Sequence, residues 1–220
     1  MYHILWRSLN TLTSLPCVAC GEPVVASADP LCIACWGALF VAAEPAPIHA
    51  SFCSVGASWL PYGSAEVKRV MGAIKFRGQH GLAVQLGSAM AAALPPPEAD
   101  ALVPVPLAAS RAYLRGYNQA ERIAHGMHLR WGLPVVDDLL HRPAWFAPKQ
   151  SARSAAQRSL IYGAYEALSR TPWAGARVAL VDDTFTTGSS LNAAAEALIK
   201  KARVAEVVPL TLAYTSRRSA

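Results

Sequence analysis

No apolar run in this 220-residue sequence is long enough to cross a bilayer: the longest, Leu31 to Ala43, falls short of the ~20 residues a spanning helix needs and carries a cysteine pair. No secretory signal is evident either. Leucines 5, 9, 12 and 15 predict a short amphipathic helix over Met1 to Leu15, Arg7 interrupts its apolar stretch, and no small-residue cleavage site follows. These absences lead us to expect a cytoplasmic protein without a transmembrane segment. Acidic residues are outnumbered, 14 against 20 Lys and Arg. That balance suits a polyanionic ligand and permits nucleic-acid contact without demonstrating it. No Gly-rich run ends in Lys and Ser or Thr, which excludes a nucleoside-triphosphate loop, and no internal repeat appears beyond the cysteine pairs.

Cysteine is scarce, with five in all, and four of the five stand in two CxxC pairs, Cys17-Cys20 and Cys32-Cys35. Four thiolates at this spacing are the donor set of a tetrahedral structural zinc site. Two disulfides or a redox pair are the alternatives, and the lack of a secretory signal and of a surrounding βαβ pattern weighs against them. With all four positions filled by protein, such a metal holds structure and does no chemistry. Gly21 and Gly37 are expected to form tight turns that direct amides toward sulfur, and Cys53 reads as a small core residue.

The strongest local signal is Val178 to Leu191, VALVDDTFTTGSSL. Arg177 to Val181 reads as a buried strand, and from Ser190 onward Leu191, Ala194, Leu198 and Ala202 fall at helical spacing. Between them lie Asp182, Asp183 and a loop of hydroxyls and glycine. Amides of Thr186, Thr187, Gly188, Ser189 and Ser190 are placed to face an anion at the positive end of the helix, and Gly188 permits close backbone approach. Two acids at the carboxyl end of a parallel strand suit the 2′ and 3′ hydroxyls of a ribose whose 5′-phosphate the loop receives. The bland alternative is a solvated acidic turn before a Thr/Gly loop. The stretch resembles the PRPP (5-phosphoribosyl 1-pyrophosphate) motif of type I phosphoribosyltransferases.

Elsewhere, Pro45 and Pro47 mark a boundary between an N-terminal helix with its four-cysteine module, residues 1–44, and a main domain, 45–220. A second break falls at Leu94 to Pro97. Ser64 caps a helix to Phe76 with Glu66 in its first turn. Asn118, with Glu121 three residues on, opens a helix whose apolar face is Ala120, Ile123, Ala124, Met127 and Trp131. Strands are expected at 101–106, 133–136, 177–181 and 204–214. Strands alternating with helices give an α/β class with a largely parallel sheet. Asp137-Asp138 lacks a phosphate loop after it and reads as a solvated strand end.

The order CxxCG, LCxxCW, KFRG, VPVPL, RGYNQA and VDD-TTG resembles the ComF/GntX family of competence-related proteins over about the whole chain. The resemblance implies a zinc module joined to a type I phosphoribosyltransferase-like domain. It implies that Val103 to Leu107, with Pro104 and Val105, receives pyrophosphate beside Arg111 and Arg115. It also implies that His141 to Tyr165 is a lid carrying Lys149, Gln150 and Arg158. Ile161 stands where the family has Asn, Thr184-Phe185 departs mildly from its pattern, and the turn near Ala202 lacks the usual glycine.

Two functions are consistent with these features. In one, PRPP is bound with Mg2+ bridging ribose hydroxyls and pyrophosphate, Lys75, Arg111, Arg115 or Lys149 stabilises the leaving group, Thr184 joins the binding loop, and a nitrogen acceptor displaces pyrophosphate. The acceptor pocket would come from residues about 45 to 100 and the lid. In the other, the chain is a noncatalytic accessory of DNA uptake that binds PRPP or single-stranded nucleic acid beside competence machinery. Neither reading fixes the oligomeric state.

Overall fold

The computed structural model describes residues 15–24, 29–143, 164–169 and 172–215. The expected helix over Met1 to Leu15 lies outside these residues except for Leu15, which is in a strand. None of the helices among the described residues is long and apolar enough to cross a membrane.

Two short antiparallel strands, β1 (Leu15–Pro16) and β2 (Pro23–Val24), carry the first cysteine pair between them. Helix α1 (Ile33–Ala42) begins at Cys32, whose sulfur accepts from the Cys35 amide. Gly21 turns with φ +84°, whereas Gly37 lies inside α1 and makes no turn. The amides that face sulfur here are those of Cys20, Cys32 and Cys35, with Ala19 and Glu22.

The main sheet holds β3 (Ala46–Ile48), β4 (Gly56–Pro61), β5 (Ala101–Pro104), β8 (Arg177–Phe185) and β9 (Glu206–Tyr214). Their order is β3-β4-β9-β8-β5, and only the β3–β4 pair is antiparallel. Beyond β5, Val135 makes a single parallel bridge to Leu102; no full strand forms over 133–136. Pro134 has no amide to give, so its carbonyl accepts from Leu102 and only Val136 donates back. β8 runs four residues past the expected Val181. Its register with β9 continues through Phe185 opposite Tyr214, which puts both acids within the strand.

Helices α2 (Ala65–Phe76), α3 (His80–Ala93) and α5 (Gln119–Trp131) cover one face of the sheet with the cysteine module. Ser64 caps α2 by accepting from Val67, as expected. Asn118 caps α5 by accepting from Ala120, while Glu121 turns instead toward His125, 3.9 Å away. The expected apolar face of α5 is buried, with Trp131 partly so. α6 (Ser189–Ala197), followed by a π-helical turn at Leu198–Ala202, covers the other face. Period-two alternation assigns the layers: Ala179 and Val181 face the first core, Val178 and Leu180 the second. Arg203 takes a left-handed conformation, φ 58°, where a glycine would be unstrained. The 94–97 break joins α3 to β5 within this architecture, since β4 upstream already belongs to the sheet.

α3 and α5 meet through glycines. A Cβ on Gly126 would lie 2.0 Å from the Val84 carbonyl oxygen, and one on Gly87 would lie 2.1 Å from that of Ile123. Neither neighbour is a side chain able to swing away. Gly126→Ala is therefore expected to lower stability by about 3 kcal/mol or more, because the helices must separate. A urea midpoint within error of the unsubstituted protein would show that the interface is looser than this.

Candidate functional site

Parallel strands end on one edge, and the site is assembled there. Tyr62 follows β4, Thr215 follows β9, the hydroxyl loop follows β8, and Val105 to Ala108 follow β5. Together with α4 (Ala109–Arg115) and the end of α2 they enclose a cavity of about 340 Å³. Of the residues singled out in the sequence, Lys75, Val105, Arg111, Arg115, Asp182, Asp183, Thr184, Thr186 and Ser190 line it. Pro104 is buried at the end of β5, behind the lining. Thr187, Gly188 and Ser189 form the adjoining turn, with the Thr187 and Ser189 hydroxyls 2.7 Å apart. Lys149, Gln150, Arg158 and Ile161 lie outside the described residues. The ends of the expected lid are joined by a ribbon of β6 (Leu140–His141) and β7 (Glu166–Ala167).

The acids differ in surroundings. Asp182 accepts from the Asp183 amide at 2.8 Å. Burial, with the neighbouring Asp183 charge, pushes its carboxyl up to about 7 against the pull of that amide, Lys75 and Arg111. Asp183 pairs with Lys75 at 3.2 Å, and the same ammonium donates to the Thr184 hydroxyl at 2.9 Å. Thr184 is thus a second anchor for Lys75, which crosses from α2 to the end of β8.

The hydroxyl loop turns at Gly188, φ +73°, against the Phe185 ring, and this turn starts α6. Among the described residues, the amides of Thr186, Thr187 and Gly188 donate to no protein acceptor. Free amides at a helix start form a cradle for an anion. Across the cavity, the Asn118 side chain donates to the Val105 carbonyl at 3.1 Å while the Val105 amide donates to Val181. The RGYNQ segment therefore caps α5 and also pins the loop after β5 to it. Arg115 donates to Gln119 at 2.9 Å, and no carboxylate among the described residues lies within ion-pair distance of Arg111 or Arg115.

Sequence reasoning missed Tyr62, Thr215, Arg142 and Tyr165. The first two follow the carboxyl ends of parallel strands, where such sites gather, and that rule could have found them once the strands were known. Tyr165 is buried under the cavity with the Arg142 guanidinium 5.3 Å from its ring centre. Burial, opposed by Arg142, raises its phenol above the ordinary range. Asp137 and Asp138 are exposed, as expected.

The four module cysteines form a separate centre. Their sulfurs all lie within 4.8 Å of one another, and Cys20 and Cys32 are 3.7 Å apart. Tetrahedral zinc with bonds of ~2.3 Å separates sulfurs by about 3.8 Å, whereas a disulfide needs ~2.05 Å. Amides of Cys32 and Cys35 donate to Cys17 and Cys32 sulfur, each at 3.4 Å. Burial raises the Cys17 thiol, but the amides of Cys32, Cys20 and Ala19 outweigh it and bring it down to about 6; burial pushes Cys35 the other way. This cluster can hold a metal such as zinc. Cys53 is partly buried against the second core, and burial pushes its thiol up to about 12.

No protein-family model matches the chain. Competence protein F of Haemophilus influenzae is 32% identical over 109 residues, 49% of this chain and 47% of that protein. Competence protein ComFC of Bacillus subtilis is 32% identical over 113 residues, 50% of this chain and 43% of that protein. The chain thus spans about half the length of the curated relatives it matches. Among solved structures, an adenine phosphoribosyltransferase is 17% identical with a TM-score of 0.38, covering 82% of this chain and 89% of its own. The Saccharomyces cerevisiae adenine phosphoribosyltransferase is 18% identical with a TM-score of 0.37, covering 83% and 89%. The sheet order, with helices on both faces, gives the expected α/β class with a largely parallel sheet, and VDD-TTG lies at the expected strand-to-helix junction. Over about half of its length, then, the chain is similar to these two competence proteins.

Proposed function

We propose that the cavity binds PRPP or a related ribose 5-phosphate ligand and transfers its phosphoribosyl group to a nitrogen acceptor. The observation that carries this reading is the meeting, in one cavity, of the paired acids, the loop with unbonded amides, and Arg111 and Arg115. The loop amides take the 5′-phosphate, Asp182 and Asp183 accept from ribose hydroxyls, and Arg111 with the 103–107 loop takes pyrophosphate. The donor set of two carboxylates beside phosphate-binding groups suits Mg2+, which when bound would neutralise charge on the leaving group. As the C1–O bond to pyrophosphate breaks, a bond from the acceptor nitrogen to C1 forms, and the surplus proton on nitrogen passes to solvent. None of the motif residues is placed as a covalent nucleophile.

Titration calorimetry of PRPP with Mg2+ tests the binding half, and pyrophosphate release with a panel of bases tests the transfer half. Absence of Mg2+-dependent affinity for PRPP, ribose 5-phosphate or a nucleoside monophosphate would remove the site assignment. The names of the two relatives favour a second reading, an accessory role in DNA uptake. Its signature is affinity for single strands that falls steeply with salt, survives Asp182→Asn and comes without turnover.

A further inference from the structure

A second cavity of about 760 Å³ opens beside the first and shares Tyr62, Lys75, Arg111 and Arg115 with it. The residues it adds are Phe76, Gly78 and Leu114, with Phe76 and Leu114 respectively 76% and 81% exposed. Among the described residues no carboxylate lines this outer chamber; Asp182 and Asp183 belong to the inner one. Two large apolar side chains exposed at the mouth of a polar cleft, with the Arg115 guanidinium over one of them, call for a ligand that is flat, apolar on its faces and negative at one edge.

Both arginines line both chambers, and they are held differently. Arg111 acts on Asp182 and Tyr165 in the inner chamber. Arg115 sits 5.2 Å over the Phe76 ring and is fixed from behind by the Gln119 side-chain oxygen at 2.9 Å, with Gln119 only 1% exposed. Because that partner is neutral, it orients the guanidinium without consuming its charge. A held guanidinium is a fork for a carboxylate.

We propose that the outer chamber is the acceptor subsite, and that it takes an aromatic carboxylate bearing a nucleophilic nitrogen, its ring on Phe76 and Leu114 and its carboxylate on Arg115. This rests on the phosphoribosyl reading of the inner chamber only for the word acceptor; selectivity for an aromatic acid belongs to the outer chamber alone.

The test is calorimetry of the whole chain with 2-aminobenzoate and its neutral counterpart 2-aminobenzamide, with and without saturating ribose 5-phosphate. The acid is expected to bind about tenfold or more tightly than the amide, and Arg115→Gln is expected to erase that ratio. Phe76→Ala is expected to weaken acid and amide alike, by about tenfold, and to leave ribose 5-phosphate affinity within about twofold. Equal affinity for acid and amide, no binding of either, or a ratio that survives Arg115→Gln overturns the proposal. If acid selectivity is found and lost on Arg115→Gln while ribose 5-phosphate does not bind, the aromatic-acid site stands and the phosphoribosyl reading falls.

Discussion

Cys17→Ser or Cys32→Ser is expected to release a stoichiometric zinc ion and loosen residues 15–43 while the parallel sheet remains folded. The sulfur cluster ties the turn between β1 and β2 to the start of α1, and β1 and β2, at two residues each, contribute little beside it. A structural zinc contributes on the order of 10 kcal/mol to small modules, so losing one of four ligands should be decisive locally. The main sheet has its own interlocked β4-β9-β8-β5 register and survives. The separation is not complete: Cys17, Leu31, Cys35 and Leu39 are buried in the same cluster as Trp59, Val67 and Leu82. The substituted protein should therefore melt some degrees lower and be cut by protease in the module first. Elemental analysis finding no zinc in reduced, unchelated protein would remove the metal; unchanged proteolysis after Cys17→Ser would remove its structural role.

What the sequence made legible is what neighbouring residues decide. Ser64 and Asn118 cap their helices because a side-chain oxygen needs only an amide two or three positions on. The VDD-TTG stretch was readable for the same reason, since strand, acids, turn and helix start are contiguous. The end of β8 lies beyond the expected Val181 because Asp182 and Asp183 are poor strand formers that interrupt the local pattern, and the extension through Phe185 is imposed by pairing with β9. Lys75 is legible in the sequence as one of the cations for the leaving group; that it bonds Thr184, more than a hundred positions away, depends on two crossovers no local pattern encodes. Tyr62 and Thr215 were invisible for that reason. The close approach of Gly87 and Gly126 was equally hidden, as glycine in a helix costs stability until a partner backbone is known to need the space.

Asp182→Asn is expected to abolish measurable affinity for the phosphoribosyl ligand while making the protein more stable at pH 8. Both effects come from one fact, a carboxyl that burial and Asp183 push up to about 7. A group whose folded pKa lies above its unfolded value near 3.8 contributes stability that is fully present below 3.8 and is lost as pH rises through 7. Asn cannot ionise, so it avoids that loss, and its side-chain oxygen can still accept from the Asp183 amide. Solvent reaches the cavity and Lys75 stands close, so the gain at pH 8 is discounted to on the order of 1 kcal/mol, or roughly 2–4 °C in melting temperature. The advantage should shrink toward pH 4, where Asp182 is protonated in both states. Binding runs the other way: ribose hydroxyls and Mg2+ need the carboxylate, so affinity of the unsubstituted protein should fall by about tenfold per pH unit below 7 from this group alone. Asp183→Asn, which strips Lys75 of its ion pair and also removes one of the two influences that raise Asp182, should weaken binding by at least about tenfold with a smaller pH-dependent gain in stability than Asp182→Asn. Melting curves of the three proteins from pH 4 to 8, beside ribose 5-phosphate titrations from pH 6 to 8, check both halves. A melting difference for Asp182→Asn that does not change with pH would mean that the carboxyl titrates as an ordinary exposed acid, and affinity unaffected by either substitution would mean that the ligand lies elsewhere.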